Sequence, residues 1–309
     1  MRTILHLIET SAPGGAEKSS AALSASLFSA LLRDFPFLSD SSKPILEAPI
    51  IQKLLPELSP NIVASVNHLV RRGMHWRDAL EAQPLCDTST GDAVARIVDG
   101  ARGNWIWLME VPRWDVALDL SGGLGTMTSV LRQHFTRVHY VATSIDECEF
   151  VEKRCSQDRL DRVSVVRAAV NSLPYKPDAF DCISVDGPID PIRQPLTILR
   201  ACRPLLRSGG CLQFATGAAA RRGLGASSGR MAYGFGVIRV TSALRRAGFR
   251  AIISYYVAPS VTEPRNMIPA DRRSAYAYET MTKSRVGALL AKSPLRYLLY
   301  SAQVHLAYV

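Results

Sequence analysis

Residues 116–128 read VALDLSGGLGTMT, and their interpretation decides the fold. Apolar Val116, Ala117, Leu118 and Leu120 surround one acid, Asp119, and lead directly into Ser121-Gly122-Gly123-Leu124-Gly125. Polar Thr126 and Thr128 follow, and then apolar residues recur at helical spacing. A strand covered on both faces is apolar throughout, and glycine takes the backbone angles that a tight turn demands. The stretch therefore predicts a buried parallel strand, a turn and a helix N-terminus. Glycines let a ligand approach the backbone closely, and the first turn of a helix offers unpaired N–H groups. A dinucleotide fingerprint would need G-x-G-x-x-G, but Gly123-Leu124-Gly125-Thr126-Met127 is followed by Thr128. The Gly-Lys-Ser/Thr of a phosphate loop is missing too.

Downstream, residues 111–217 alternate strand-like and helix-like segments. Helix SVLRQHF, strand VHYVAT, helix DECEFVEKRCSQ and strand RVSVVRA come first. The loop NSLPYKPDA and strand FDCISV follow. Helix PLTILRACRPLL is expected to stop at Ser208-Gly209-Gly210, with CLQFAT as the next strand. The loop GAAARRGLGASSGR, helix VIRVTSALRRAG and strand FRAIISYYVA complete the series. Five strands alternating with helices predict a doubly wound parallel sheet, which binds ligand at the carboxyl ends of its strands. Residues 1–110 are mostly helical in pattern, broken by SDSSKPILEAP and LPELSPN.

The same stretches carry a family resemblance. ALDLSGGLGT is similar to the first motif of class I S-adenosylmethionine-dependent methyltransferases, usually LDLGxGxGT. SLPYKPDAFDCISV resembles that family's approach to the fourth strand, and LLRSGGCLQF its entry to the fifth. The likeness runs from about Trp105 to Ala258. It implies a Rossmann-like, doubly wound, mostly parallel α/β sheet, the class I methyltransferase fold, with an N-terminal helical region. The expected division is 1–104 helical region, 105–258 core and 259–309 basic C-terminal cap. The cofactor implied is S-adenosylmethionine, held by Asp119, Ser121, Gly122, Gly123 and Gly125, by Thr143 and Ser144 after the second strand, and by Ala169 and Val170 after the third. Two departures stand out. The family's ribose-binding acid at the end of the second strand aligns with Ala142, and the acid beside the adenine aligns with Ala169. The nearest acids, Asp146 and Glu147, come a turn later, so Thr143, Ser144 or Asp146 would take over part of the contact. The tail YGFGVIRVTSALRRAGFRAIISYYVAPSVTEPRNMIPAD resembles a subgroup encoded with cell-surface glycan assembly enzymes.

Methyl transfer from a sulfonium is an in-line displacement, so positioning does most of the work. An oxygen acceptor also needs its proton removed by a base in hydrogen-bond reach. Asp186, in SVDGPID at the end of the fourth strand, is the expected catalytic base, read beside the plainer alternative of a turn aspartate before Gly-Pro; Asp190 is a second choice in the same loop. The six histidines are scattered.

A hydrophobic share of 47% with 21% charged residues is ordinary for a globular protein, which sets aside disordered and fibrous classes. The six cysteines form no Cys-x-x-Cys and have no metal-ligand spacing with histidine, so a reduced cytoplasmic protein without a metal is expected. No apolar run reaches the roughly 18 residues of a bilayer span, and MRTILHLIETSAPGGAEK is not written as a signal peptide. Its ILHLIETSAPGGAEK resembles the opening strand and glycine loop of GT-B glycosyltransferases. The net charge of +10 lies wholly in the tail: from residue 220 onward 14 Lys/Arg face three acids, a net of +11. Such a tail implies either an anionic partner (an acidic or phosphorylated acceptor, a lipid-linked one at a membrane surface, or nucleic acid) or a plain solvated basic face with no specific partner. Arg221 and Arg222 fall in a Gly/Ala/Ser-rich loop suited to a lid, and VGALLAKSPLRYLLY is read either as core packing or as a helix lying on an anionic bilayer. Three functions are weighed: methylation of a glycan, glycolipid or related small acceptor; a non-catalytic module with a degenerate cofactor pocket; and RNA methylation. The last is disfavoured because Asp186-Gly187-Pro188-Ile189 is not an Asn/Asp-Pro-Pro-aromatic motif.

Overall fold

The computed structural model describes residues 60–83, 97–98, 100–120, 124–142, 144–169, 172–185, 195–217, 237–259, 264–282, 285–292 and 302–309. The glycosyltransferase-like opening and the segments SDSSKPILEAP and LPELS lie outside them. Of the expected N-terminal helical region, the described part holds α1 (Pro60–Arg71), α2 (Trp76–Glu81) and a 3-10 helix (Gly100–Leu108).

The centre is a sheet of eight strands: β1 (Val116–Asp119), β2 (Arg137–Ala142), β3 (Val163–Arg167), β4 (Phe180–Val185), β5 (Leu206–Gly217), β6 (Ala251–Pro259), β7 (Pro264–Pro269) and β8 (Ala302–Tyr308). Their spatial order is β3-β2-β1-β4-β5-β8-β6-β7. The first five pair in parallel, whereas β8 runs antiparallel between β5 and β6, and β7 adds an antiparallel edge. The doubly wound expectation holds for β1–β5 with their helices. Three more strands follow where the sequence pattern pointed to one. Residues 264–269 and 302–308, expected within the basic cap, are strands of this same sheet.

Each strand earns its place by what covers it. All four residues of β1 and all six of β4 are buried, as a strand sandwiched between helices must be. On one face Leu118, Ile183, Leu212 and Phe214 meet Ile198 and Leu199 of α5 (Pro195–Cys202) and Val240 and Leu244 of α6 (Val237–Arg246). On the other, Ala117, Cys182, Cys211 and Ala215 meet Met127, Val130 and Leu131 of α3 (Thr126–His134) and Trp105 of the 3-10 helix. In α1 the spacing of Val63, Val66 and Val70 makes a stripe that packs against Phe150 and Val151 of α4 (Ile145–Gln157). At the amino ends of the strands, buried Asp181 acts as a latch. Its Oδ2 accepts the N–H groups of Asp115 and Val116 at 3.1 and 2.9 Å, and Arg207 donates to the same carboxylate at 3.0 Å.

One boundary differs from expectation. The helix ends at Cys202, a short 3-10 turn takes Arg203–Leu205, and β5 already begins at Leu206, so Ser208-Gly209-Gly210 lies inside the strand. Gly209 has φ +76°, and the β4–β5 register shifts between Phe180 and Cys182. Glycine here serves an irregularity in the strand, a use that reads like a helix stop in sequence.

Candidate functional site

Asp119 ends β1 fully buried, and the Thr128 hydroxyl on the first turn of α3 donates to its Oδ2 at 2.6 Å. This bond ties the strand before the glycine turn to the helix after it. Gly125, at the N-cap of α3, has φ +71°, a left-handed angle at which an added Cβ would also stand 3.1 Å from a Val151 methyl. Gly125 is thus pinched between its own backbone and α4, a position that glycine alone tolerates without strain.

A second clamp comes from α4. Buried Arg154 donates to the Leu124 carbonyl within the turn and, at 3.4 Å, to the Ile97 carbonyl. The same Ile97 oxygen accepts from Thr126 Oγ1 at 2.7 Å. The guanidinium lies 4.4 Å over the Trp76 ring and 3.5 Å from Asp158. Burial lowers its pKa from the ordinary arginine value, and Asp158 opposes that shift. A buried charge with this many partners locks geometry, and the geometry it locks is the turn.

Across the sheet Asp119, Ser184 of β4 and Gln213 of β5 stand at one register level. Ser184 Oγ donates to Gln213 Oε1 at 2.8 Å, and all three side chains are buried. Polar residues here, close to the carboxyl ends of otherwise apolar strands, line the floor beneath the place where a doubly wound sheet binds its ligand.

The second strand ends at buried Ala142, whose carbonyl accepts the Ala168 N–H at 3.1 Å. No carboxylate stands at this position. Ser144 is the extended N-cap of α4, and its hydroxyl makes no capping bond. Asp146 and Glu147 occupy the first turn of that helix, and the Asp146 carbonyl accepts from Asn67 of α1 at 2.8 Å. Exposed Ala169 follows β3, with its carbonyl taken by the Ser172 N–H at 2.9 Å. The structure therefore gathers Asp119, Gly125, Ser144 and Ala169 around the carboxyl ends of β1–β3. Ser121, Gly122, Gly123, Thr143, Val170, Asp186 and Asp190 lie outside the described residues, as do Arg221 and Arg222 with their loop. Thr128, Arg154 and the Ser184–Gln213 pair went unassigned in the sequence. Thr128 could have been found, because a polar residue one turn past an invaginated glycine loop faces back to the strand end. Arg154 carries no such signal, since it reads as one more charge in EKRCSQD.

The expected cofactor can be tested against this geometry. A left-handed Gly125, the first-turn N–H groups of α3 and a buried carboxylate behind them suit the amino-acid part of S-adenosylmethionine. Beyond the end of β2 stand a serine hydroxyl that makes no capping bond and two first-turn acids, where the strand itself ends on Ala142. The residues present fit the group.

Residues 118–214 match the family model described as a methyltransferase domain. No curated protein sequence matches the chain. Solved structures with a similar fold include a SAM-dependent methyltransferase from Aquifex aeolicus, 13% identical, covering 70% of this chain and 92% of its own, with a TM-score of 0.47. Phosphoethanolamine N-methyltransferase 2 of Haemonchus contortus, bound to S-adenosyl-L-methionine, is 15% identical over 76% of this chain and 60% of its own, with a TM-score of 0.47. The cyclase SpnF is 16% identical over 73% of this chain and 84% of its own, with a TM-score of 0.46. The stretch that matches the methyltransferase-domain model, residues 118–214, runs from β1 into β5 of the Rossmann-like, mostly parallel part of the sheet.

Proposed function

We propose that this protein methylates a small acceptor of the glycan or glycolipid class, anionic or lipid-linked, working in the cytoplasm, with residues 105–258 as its catalytic core. The observation that carries the reading is the buried Asp119–Thr128 bond, which ties the end of β1 to the first turn of α3 on either side of the glycine stretch. In this reading Asp119, the 121–125 turn and the first N–H groups of α3 hold the amino-acid part of the cofactor. Thr143, Ser144 and Asp146 take the ribose, and Ala169 and Val170 border the adenine. The cofactor supplies an electrophilic methyl group on a sulfonium. The chain orients the acceptor in line with it and removes the acceptor's proton, a role we assign to Asp186. The glycan side of the proposal is supported by the resemblance of the 233–271 tail, and the anionic side by the tail's +11 charge. Nucleic acid is the less favoured anion.

One observation favours a second reading, a non-catalytic module: neither Ala142 nor Ala169 offers a carboxylate to the adenosine. Charge-assisted hydrogen bonds are worth about 1.5–3 kcal/mol each, so losing such contacts weakens binding by one to three orders of magnitude. Calorimetric titration with S-adenosylmethionine and S-adenosylhomocysteine separates the two. Saturable binding that Asp119→Ala abolishes supports the enzyme. No binding at millimolar cofactor sinks it and leaves the module.

A further inference from the structure

Among the described residues no helix is long and apolar enough to cross a membrane. Two short helices nevertheless present an unusual surface, α7 (Arg272–Met281) and α8 (Arg285–Lys292). An amphipathic helix ordinarily buries its large apolar residues and shows its small and polar ones. In α8 the order is reversed. The buried residues are Gly287 and Ala291, whereas Val286 and Leu289 are 71% and 72% exposed. On α7 the residue anchored in the apolar cluster is Ala275, alongside Ala291, Tyr256 and Ile268, while Met281 is 55% exposed. Core packing, one expectation for residues 286–300, does not account for exposed Val286 and Leu289, and residues 293–300 lie outside the described residues.

The charges around this apolar face share one sign. Arg285, Leu289 and Lys292 follow one another at helical spacings of four and three, so the two cations flank Leu289 on a single face. Lys292 reaches across to α7, with its ammonium 4.3 Å over the ring of half-exposed Tyr276. Arg272 and Arg273, both exposed, stand one turn before that tyrosine. The two described acids are turned away from service here: Glu279 is buried, and the Asp271 carboxylate is occupied by the N–H and hydroxyl of Ser274 at 2.9 and 2.7 Å.

We propose that α7 and α8 form a docking surface for an anionic lipid bilayer, with Val286, Leu289 and Met281 entering the headgroup–acyl boundary and Arg272, Arg273, Arg285 and Lys292 meeting lipid phosphates. Outward aliphatics ringed by cations and an aromatic are what such an interface recognises. A soluble polyanion would need the cations but not the aliphatics. The inference deepens the lipid-linked acceptor reading, but vesicle binding requires neither cofactor nor acceptor, so either can fail alone.

The test is co-sedimentation of the full chain with phosphatidylcholine vesicles, neutral or containing about a quarter phosphatidylglycerol. Binding is expected to the anionic vesicles only, and to fall steeply with salt. The Val286→Asp/Leu289→Asp variant should bind at least about tenfold more weakly, because the inserted apolar area is lost. Arg285→Ala/Lys292→Ala should lose about tenfold or more. Both should melt at the wild-type temperature. No wild-type binding, or equal binding to neutral and anionic vesicles, overturns the proposal. So does unchanged binding by the aspartate variant, which would leave a polyanion site, or a fall in its melting temperature, which would mean the chain itself covers this face.

Discussion

Replacing Thr128 with valine removes one hydroxyl and keeps the volume of a fully buried side chain. The Asp119 carboxylate then loses a donor 2.6 Å away at a site where water does not reach. A hydrogen bond to a charged group is worth about 1.5–3 kcal/mol, which is roughly a 12- to 160-fold change in the unfolding equilibrium. At a sensitivity of about 2–4 °C per kcal/mol in proteins near this size, the melting temperature should fall by roughly 3–12 °C. Thr126→Val is the internal control, because it deletes a neutral bond to the Ile97 carbonyl and should cost only about 1 kcal/mol. Denaturant unfolding followed by circular dichroism gives both numbers, and a cycle with Asp119→Asn isolates the pair. The two partners touch, so a coupling of about 0.5–3 kcal/mol is expected. Calorimetry on the same variants should show weaker cofactor binding for Thr128→Val than for Thr126→Val. If Thr128→Val unfolds like wild type, or if its effect simply adds to that of Asp119→Asn, the bond does not hold the turn and the site has been misbuilt.

Gly125→Ala should cost about 1–2 kcal/mol for its left-handed angle, plus the contact with Val151; Val151→Ala should recover only the second part, and full recovery would show that the backbone angle is not strained. Ala142→Asp should tighten cofactor binding about tenfold or more if the ribose lies at the end of β2, and unchanged or weaker affinity by calorimetry would place the adenosine elsewhere. Buried His305, with Ser254 Oγ 2.8 Å from its Nδ1, is pushed by burial down to about 3. It stays neutral in the fold while the unfolded chain takes up a proton near pH 6.5, so its contribution is present above that pH and is lost as pH falls from 6.5 towards 3, by at most about 1.4 kcal/mol per unit. His134 and His139 shift the same way, so His305→Asn should flatten the acid limb of the stability curve without abolishing it; an unaltered limb would mean that His305 is not the group responsible.

Which elements the sequence revealed follows from how far local pattern and tertiary role coincide. FDCISV was legible to the residue because a central parallel strand is covered on both faces and punctuated by a loop on each side. β8 was not, since AQVHLAY interleaves buried Gln303 and His305 with its apolar residues. Their burial depends on β5 and β6, which no local window contains. Gly209 misled for a related reason: one left-handed glycine serves a helix end and a strand irregularity equally well. At the site, Asp119 and Gly125 were marked by their place between an apolar strand and a helix. Arg154 reaches the turn only because α4 folds back over it, 30 positions along the chain. Resemblance to a family could name residues expected to touch a ligand, but the ones that hold Asp119 and Gly125 in place emerged from packing.

The position of β8 also has a consequence for how the chain comes to fold. Translation delivers β5, β6 and β7 before residues 302–308, yet β6 meets β5 only through β8. Until that strand arrives, the facing edges of β5 and β6 both carry unpaired backbone groups, and the β6–β7 hairpin has no sheet to join. The loop that must close to seat β8 against β5 runs from residue 218 to residue 301, so its search is slow compared with the local assembly of β1–β4. During that interval the open edge of β5, flanked by buried Leu212 and Phe214, is the part of the molecule that a second nascent chain or a chaperone would meet first.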